Sequence, residues 1–212
     1  MKIELQNVLP EEIEKRSFEM IGEELGDIEL DPLEEPVLKR VIHTTADFEY
    51  LDNLKFSKDA VLKGIEALKN GAVIVTDTQM ARAGINKSTL EALGGQAFCF
   101  MADDDVAADA KINGTTRATA SMDKAAEIDG PVIFAIGNAP TALVRLYELI
   151  KEGRLKPELI IGVPVGFVNV VESKELIMEL DIPYIVAKGR KGGSNVAAAI
   201  CNAMLYQCKP RV

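Results

Sequence analysis

The sequence predicts an α/β protein: a three-layer, doubly wound, mainly parallel five-stranded sheet with an N-terminal helical addition. Three observations point there. From residue 71 onward, short apolar runs alternate with segments of helical period. The runs, at 72–76, 96–100, 132–136, 159–163 and 184–187, are continuously apolar rather than alternating, as strands covered on both faces are. Between residues 10 and 70, apolar positions recur only at helical spacing. Parallel strands joined by helices wind into an open sheet, and the expected strand order is 2-1-3-4-5.

The elements follow in order. A surface helix is expected over 10–25, with Ile13, Ser17, Met20, Ile21 and Leu25 on one stripe. Ser17 is the odd member, either a tolerated small residue or a group facing a ligand. Asp31 as N-cap and Pro32 at the first helical position open a second helix. Leu33, Val37 and Val41 line its face, and His43 falls at or just past its last turn. A third helix, 57–70, is capped by Ser57 and closed by Gly71, with Val61, Ile65 and Leu68 inward. Among the strands, helices are expected at 87–93, 116–126, 141–151 and 173–180, with an Ala-rich one at 194–207. The arrangement is flavodoxin-like. No linker, repeat or low-complexity tract divides the chain. The expectation is one domain over 1–212, with helices of 1–70 packed on an α/β core of 71–208.

Composition narrows the function. Lys+Arg 24 against Asp+Glu 33 gives a net charge of -9, which argues against a general nucleic-acid binder. A local cluster of cations can still hold a small anion. Three cysteines, Cys99, Cys201 and Cys208, are odd in number and lack metal-ligand spacing, as suits reduced thiols in a cytoplasmic protein. The N-terminus has no signal-like apolar core. The longest apolar run, 159–171, is broken by Gly, Pro and Asn and falls short of the roughly 20 residues of a membrane span. Neither membrane nor nucleic acid is expected as a partner.

His43 is the only histidine among 212 residues. Imidazole gains and loses a proton near neutral pH, and Thr44, Thr45 and Asp47 follow within reach as groups that could fix its tautomer. Alone, such a residue reads equally well as a helix cap. The strand ends add to it, because ligands of open α/β sheets bind beyond the carboxyl ends of the strands. After the last strand comes Lys188-Gly189-Arg190-Lys191-Gly192-Gly193-Ser194, which opens into a helix. It reads either as an anion site, with close backbone approach and free N–H groups, or as a glycine turn with solvated cations. It is neither a Walker loop nor a dinucleotide fingerprint. Gly137-Asn138-Ala139-Pro140-Thr141 reads as a helix start or as ligand contacts. Asp103-Asp104-Asp105 reads as helix N-terminal acids rather than metal ligands, since no second histidine supports them. Arg117 is suited to gripping a carboxylate, or to pairing with one of those aspartates.

These segments resemble the precorrin-8X methylmutase family of cobalamin (vitamin B12) biosynthesis over nearly the whole chain. The resemblance rests on His43-Thr44-Thr45-Ala46-Asp47-Phe48 and on Gly137 through Leu143. It rests equally on Gly162-Val163-Pro164-Val165-Gly166-Phe167-Val168 followed by Glu172-Ser173-Lys174, and on Lys188 through Ser194. It implies a [1,5]-sigmatropic methyl shift from C11 to C12 of a corrinoid, with no cofactor and no protein-bound metal. It implies a homodimer, with possible hand-over of product to neighbouring pathway enzymes. His43 is then the general acid. Arg117, Arg190, Lys191, Gly193 and Ser194 become receptors for the substrate's carboxylates, and Ser17, Asn138 and Thr141 bond its rim. The residues after His43 look more like the branch acting on cobalt-precorrin-8 than the metal-free branch. Two other readings compete: a corrinoid carrier without turnover, and a nucleotide- or phosphosugar-binding α/β enzyme using the segment near Arg190.

Overall fold

The computed structural model describes residues 8–210. A short 3-10 turn, Pro10–Glu12, leads into α1 (Ile13–Leu25), α2 (Glu35–Thr45) and α3 (Tyr50–Asn53). Then follow β1 (Leu54–Phe56), α4 (Ala60–Lys69), β2 (Val73–Thr76), α5 (Gln79–Gly84), α6 (Lys87–Ala92) and β3 (Gln96–Phe98). The second half contains α7 (Asp104–Ile112), α8 (Arg117–Ala125), β4 (Val132–Ile136), α9 (Pro140–Lys151), β5 (Leu159–Gly162), α10 (Val170–Met178), β6 (Tyr184–Ala187) and α11 (Ser194–Cys208).

The sheet has six strands in the order β1-β6-β5-β4-β2-β3, not the five expected. Five are parallel; numbered among themselves they lie 2-1-3-4-5. The sixth, β1, pairs antiparallel with β6, Leu54 opposite Ala187. Three residues with a lysine in the middle carry no apolar run, so only the partner strand makes this segment extended. Ser57 continues that edge: its N–H donates to the Tyr184 carbonyl and its hydroxyl accepts from the Tyr184 N–H. It therefore does not cap the third long helix, which begins at Ala60.

The continuous apolar strands bury both faces. Ile133, Ala135, Ile161, Ile185 and Ala187 meet side chains of α2, α4 and α11 on one side. Val132, Phe134, Ile136, Ile160 and Val186 meet α8, α9 and α10 on the other. Burying a side chain such as Phe134, which has no exposed surface, contributes about 2–3 kcal/mol. The small residues Ala197, Ala198 and Ala203 of α11 are buried and let that helix lie close against its neighbours.

Three further expectations are corrected. On α1 only Ile21 and Leu25 are buried, while Ile13 and Met20 stay 56% and 47% exposed. Asp31 accepts from the N–H groups of Leu33 and Glu34 and caps a turn, so α2 itself starts at Glu35 and Leu33 stands outside it, exposed. Helix α5, a six-residue piece, was not expected, whereas α7 starts at the acids of 103–105 as read.

Candidate active site

The order of the sheet reverses between β2 and β4, and the loops leaving these strands are tied together. Asp77, 1% exposed at the end of β2, accepts three N–H bonds, from Gly137 (2.9 Å), Asn138 (2.8 Å) and Ala139 (2.6 Å). Burial holds its carboxyl above the usual range, against the lowering effect of the three donors. The start of α9 thus already holds an internal carboxylate. Gly137 sits against the start of α11: a Cβ there would lie 2.7 Å from the Ser194 Cα and 2.8 Å from the Gly193 carbonyl. Thr78 caps α5 by accepting from the Ala81 N–H, and its hydroxyl lies 2.7 Å from that of Ser194.

The 188–194 loop packs on the loop after β5. Gly193 donates its N–H to the Val163 carbonyl at 2.8 Å, and Gly166 donates to the Arg190 carbonyl. At Gly192, with φ +155°, a Cβ would fall 2.1 Å from the Val163 oxygen, so only glycine fits this approach. Gly193 therefore holds the loop in place and does not offer its N–H to a ligand. The Arg190 guanidinium stacks 5.2 Å over the 79%-exposed Phe167 ring. Lys191 pairs with Asp47 at 2.5 Å and Glu49 at 2.9 Å. That ammonium holds the Asp47 carboxyl below the usual range. It also ties the loop to the segment four residues past His43.

His43 lies in the last turn of α2. Its Nδ1 is 2.7 Å from the Ser17 hydroxyl, and the Phe18 ring stands 5.3 Å away, tilted by 45°. Among the described residues Nε2 has no partner. Thr44 and Thr45 donate to the Arg40 and Val41 carbonyls, and Asp47 accepts from the Glu49 N–H and Lys191. The group that orients the imidazole is thus Ser17, on another helix, and none of the three that follow His43 in sequence.

Arg40, which the sequence reading did not single out, sits one helical turn before His43. Its guanidinium lies 5.1 Å over Phe18 and 4.7 Å over Tyr206, and it pairs with Glu14. A cleft of about 450 Å³ lined by Phe18, Pro36, Lys39, Arg40 and Tyr206 opens there. A wider one, about 980 Å³, runs on over α1. Both share Phe18 with His43. The i, i+3 spacing of Arg40 and His43 was the available signal.

The remaining residues gather at the α8 and α9 ends. Thr116 caps α8, and its hydroxyl lies 3.0 Å from that of Thr141. This brings Arg117, exposed at the first position of α8, beside the start of α9 and the exposed Asn138. Arg117 does not pair with the aspartates. Lys124 takes Asp103 (2.7 Å) and Asp105 (2.6 Å), while Asp104 and Asp105 sit in the first turn of α7. No group of three His, Cys, Asp or Glu among the described residues could hold a metal ion. No helix among them is long and apolar enough to cross a membrane.

A mainly parallel sheet with tied strand-end loops, beside a histidine held through one nitrogen and open at the other, is the architecture of an α/β enzyme. The chain belongs to the precorrin-8X methylmutase family, whose model matches residues 12–207. It is similar to the cobalt-precorrin-8 methylmutase of Priestia megaterium, 50% identical over 93% of this chain and 88% of the relative. It is also similar to that of Salmonella typhimurium, 46% identical over 94% and 96%. The crystal structure of precorrin-8x methyl mutase from Thermus thermophilus superposes with a TM-score of 0.85 at 40% identity, covering 93% of this chain and 97% of that one. The protein is an intramolecular methyl-transferring isomerase of cobalamin biosynthesis. Carriage without turnover and nucleotide binding are not favoured.

Proposed function

We propose that His43 is the general acid for the shift of a methyl group from C11 to C12 of a precorrin-8-type corrinoid. The carrying observation is the 2.7 Å contact of Ser17 with His43 Nδ1 on an exposed helix end. In the charged ring, Nδ1–H donates to the Ser17 oxygen and Nε2–H faces the substrate. Passing the Nε2 proton to the macrocycle leaves a neutral ring with the same Ser17 bond, so no reorientation accompanies the transfer. The protonated macrocycle breaks its C11–CH3 bond as the C12–CH3 bond forms. Return of a proton to His43 restores the balance, and no atoms are lost or gained.

The substrate's carboxylates need cations. Arg117 and Arg190 have no carboxylate partner among the described residues, so these two are the receptors we assign; Arg40, a turn before His43, already pairs with Glu14. Lys191, already paired with two carboxylates, contributes to the loop's shape as much as to its charge. Ser194, Asn138 and Thr141 supply hydrogen bonds at the rim. The homodimer that the family resemblance implies belongs to the same proposal. The arrangement of the sheet is flavodoxin-like, and the setting is the cytoplasm. The cobalt form is the preferred substrate, on the strength of relatives named for it at up to 50% identity.

The test is anaerobic mixing of purified protein with cobalt-precorrin-8 or precorrin-8, followed by visible absorption, because moving the methyl group changes the ring's conjugation. Conversion of many equivalents, faster with the cobalt form, supports the proposal. A change that stops at one equivalent favours carriage, and no change with either compound contradicts the corrinoid reading.

A further inference from the structure

Lys174 has no exposed surface, although Glu172-Ser173-Lys174-Glu175 reads as a solvated stretch of helix. Its ammonium donates to two backbone carbonyls, those of Gly189 at 2.7 Å and Lys191 at 2.8 Å. These flank Arg190. Burial lowers its pKa to about 8, and no charged side chain contributes to that shift, so it is an ammonium at neutral pH with carbonyls as its only described partners. A buried cation is strongly disfavoured unless its protons are bonded. A methionine or leucine would fill the same space without that cost. Carbonyl dipoles that point inward at a buried charge cannot turn outward without abandoning it, and the backbone between them is fixed at both ends.

We infer that Lys174 is the positioning residue of the 188–194 loop: its ammonium grips the carbonyls on either side of Arg190 and presets that guanidinium and the start of α11 for a carboxylate of the substrate. The functional half rests on the loop being a carboxylate receptor, as proposed above; the structural half does not. The loop's other restraints support a segment held rigid rather than left to fold around its ligand. They are Gly193 on Val163, Gly166 on Arg190 and Lys191 on Asp47. A preset receptor saves the ordering entropy that a free loop loses on binding.

The experiment pairs hydrogen exchange with steady-state kinetics on full-length wild type, Lys174→Met, Lys174→Gln and Arg190→Ala. In Lys174→Met the amides of Gly193 and Gly166, bonded to the Val163 and Arg190 carbonyls, exchange at least about tenfold faster while those of β4 and β5 keep their protection, and Lys174→Gln, with one donating amide, falls between. KM for the corrinoid rises about tenfold, with kcat within about twofold. Unchanged loop exchange in both Lys174 variants overturns the inference whatever the kinetics show. A general rise in exchange across β4 and β5 assigns Lys174 to overall stability instead and overturns it too. If loop exchange rises but neither Lys174→Met nor Arg190→Ala alters KM, the receptor reading of the loop fails and the positioning contact stands.

Discussion

The hydroxyl of Ser17 and the Nδ1 of His43 meet at 2.7 Å across two helices, from positions 26 residues apart. Because α1 packs on α2, a small polar residue on an otherwise apolar stripe becomes the group that fixes the imidazole. Ser17→Ala removes that bond and leaves the ring free to turn. One hydrogen bond to a charged partner is worth about 1.5–3 kcal/mol, so kcat is expected to fall by roughly one to two orders of magnitude, with corrinoid affinity within a few-fold. Single-turnover rates against binding titrations check this; equal loss of both would place Ser17 in binding.

Asp77 anchors the reversal of the sheet by accepting three N–H groups at the start of α9. In Asp77→Asn an amide donor faces N–H donors, and the negative charge at the helix start is lost. The expected destabilisation is about 2–4 kcal/mol, read as a lower urea midpoint at an unchanged slope.

Gly137→Ala places a methyl group against the Ser194 Cα and the Gly193 carbonyl, both backbone. Backbone cannot yield as a flexible side chain does, so the start of α11 must shift. A loss of about 1–3 kcal/mol is expected in thermal unfolding, together with weaker substrate binding through the displaced 188–194 loop.

Lys174 gives a pH signature. Its folded pKa is lowered to about 8 from 10.5, so between those values the unfolded chain holds a proton that the folded one has released. Stability therefore rises with pH in that window and carries the full cost of the buried charge below it. The unfolding free energy of wild type relative to Lys174→Met is expected to increase from pH 8 towards 10.5 and to be flat from pH 6 to 7.5. A difference that stays constant across the alkaline window would mean the ammonium is not desolvated.

Much of this was legible in the chain. Residues 132–136 and 184–187 coincide with β4 and β6 because a buried parallel strand has to be apolar throughout. The edge strand Leu54–Phe56 was not, since its extension comes from Ala187 and its neighbours across the sheet rather than from its own three residues. At the site, the glycines of 188–194 pointed to a close backbone approach, which Gly192 makes on the Val163 carbonyl. Sequence could not show that Thr44 and Thr45 bond back to their own helix while Ser17 reaches the ring, because that depends on how α1 packs on α2. Nor could it show Lys174 as buried, because the cover is a loop 15 residues away. Arg40 was within reach: a turn before His43, on the same helix, it needed only the spacing to be followed backwards.

The account turns on His43, and the most direct measurement is anaerobic turnover of cobalt-precorrin-8 by His43→Ala beside wild type, followed by visible absorption with binding titrated in parallel. The account predicts that the variant binds the corrinoid with affinity near that of wild type and converts it about a hundredfold to ten-thousandfold more slowly, the range a general acid contributes. Conversion by His43→Ala at the wild-type rate would contradict it.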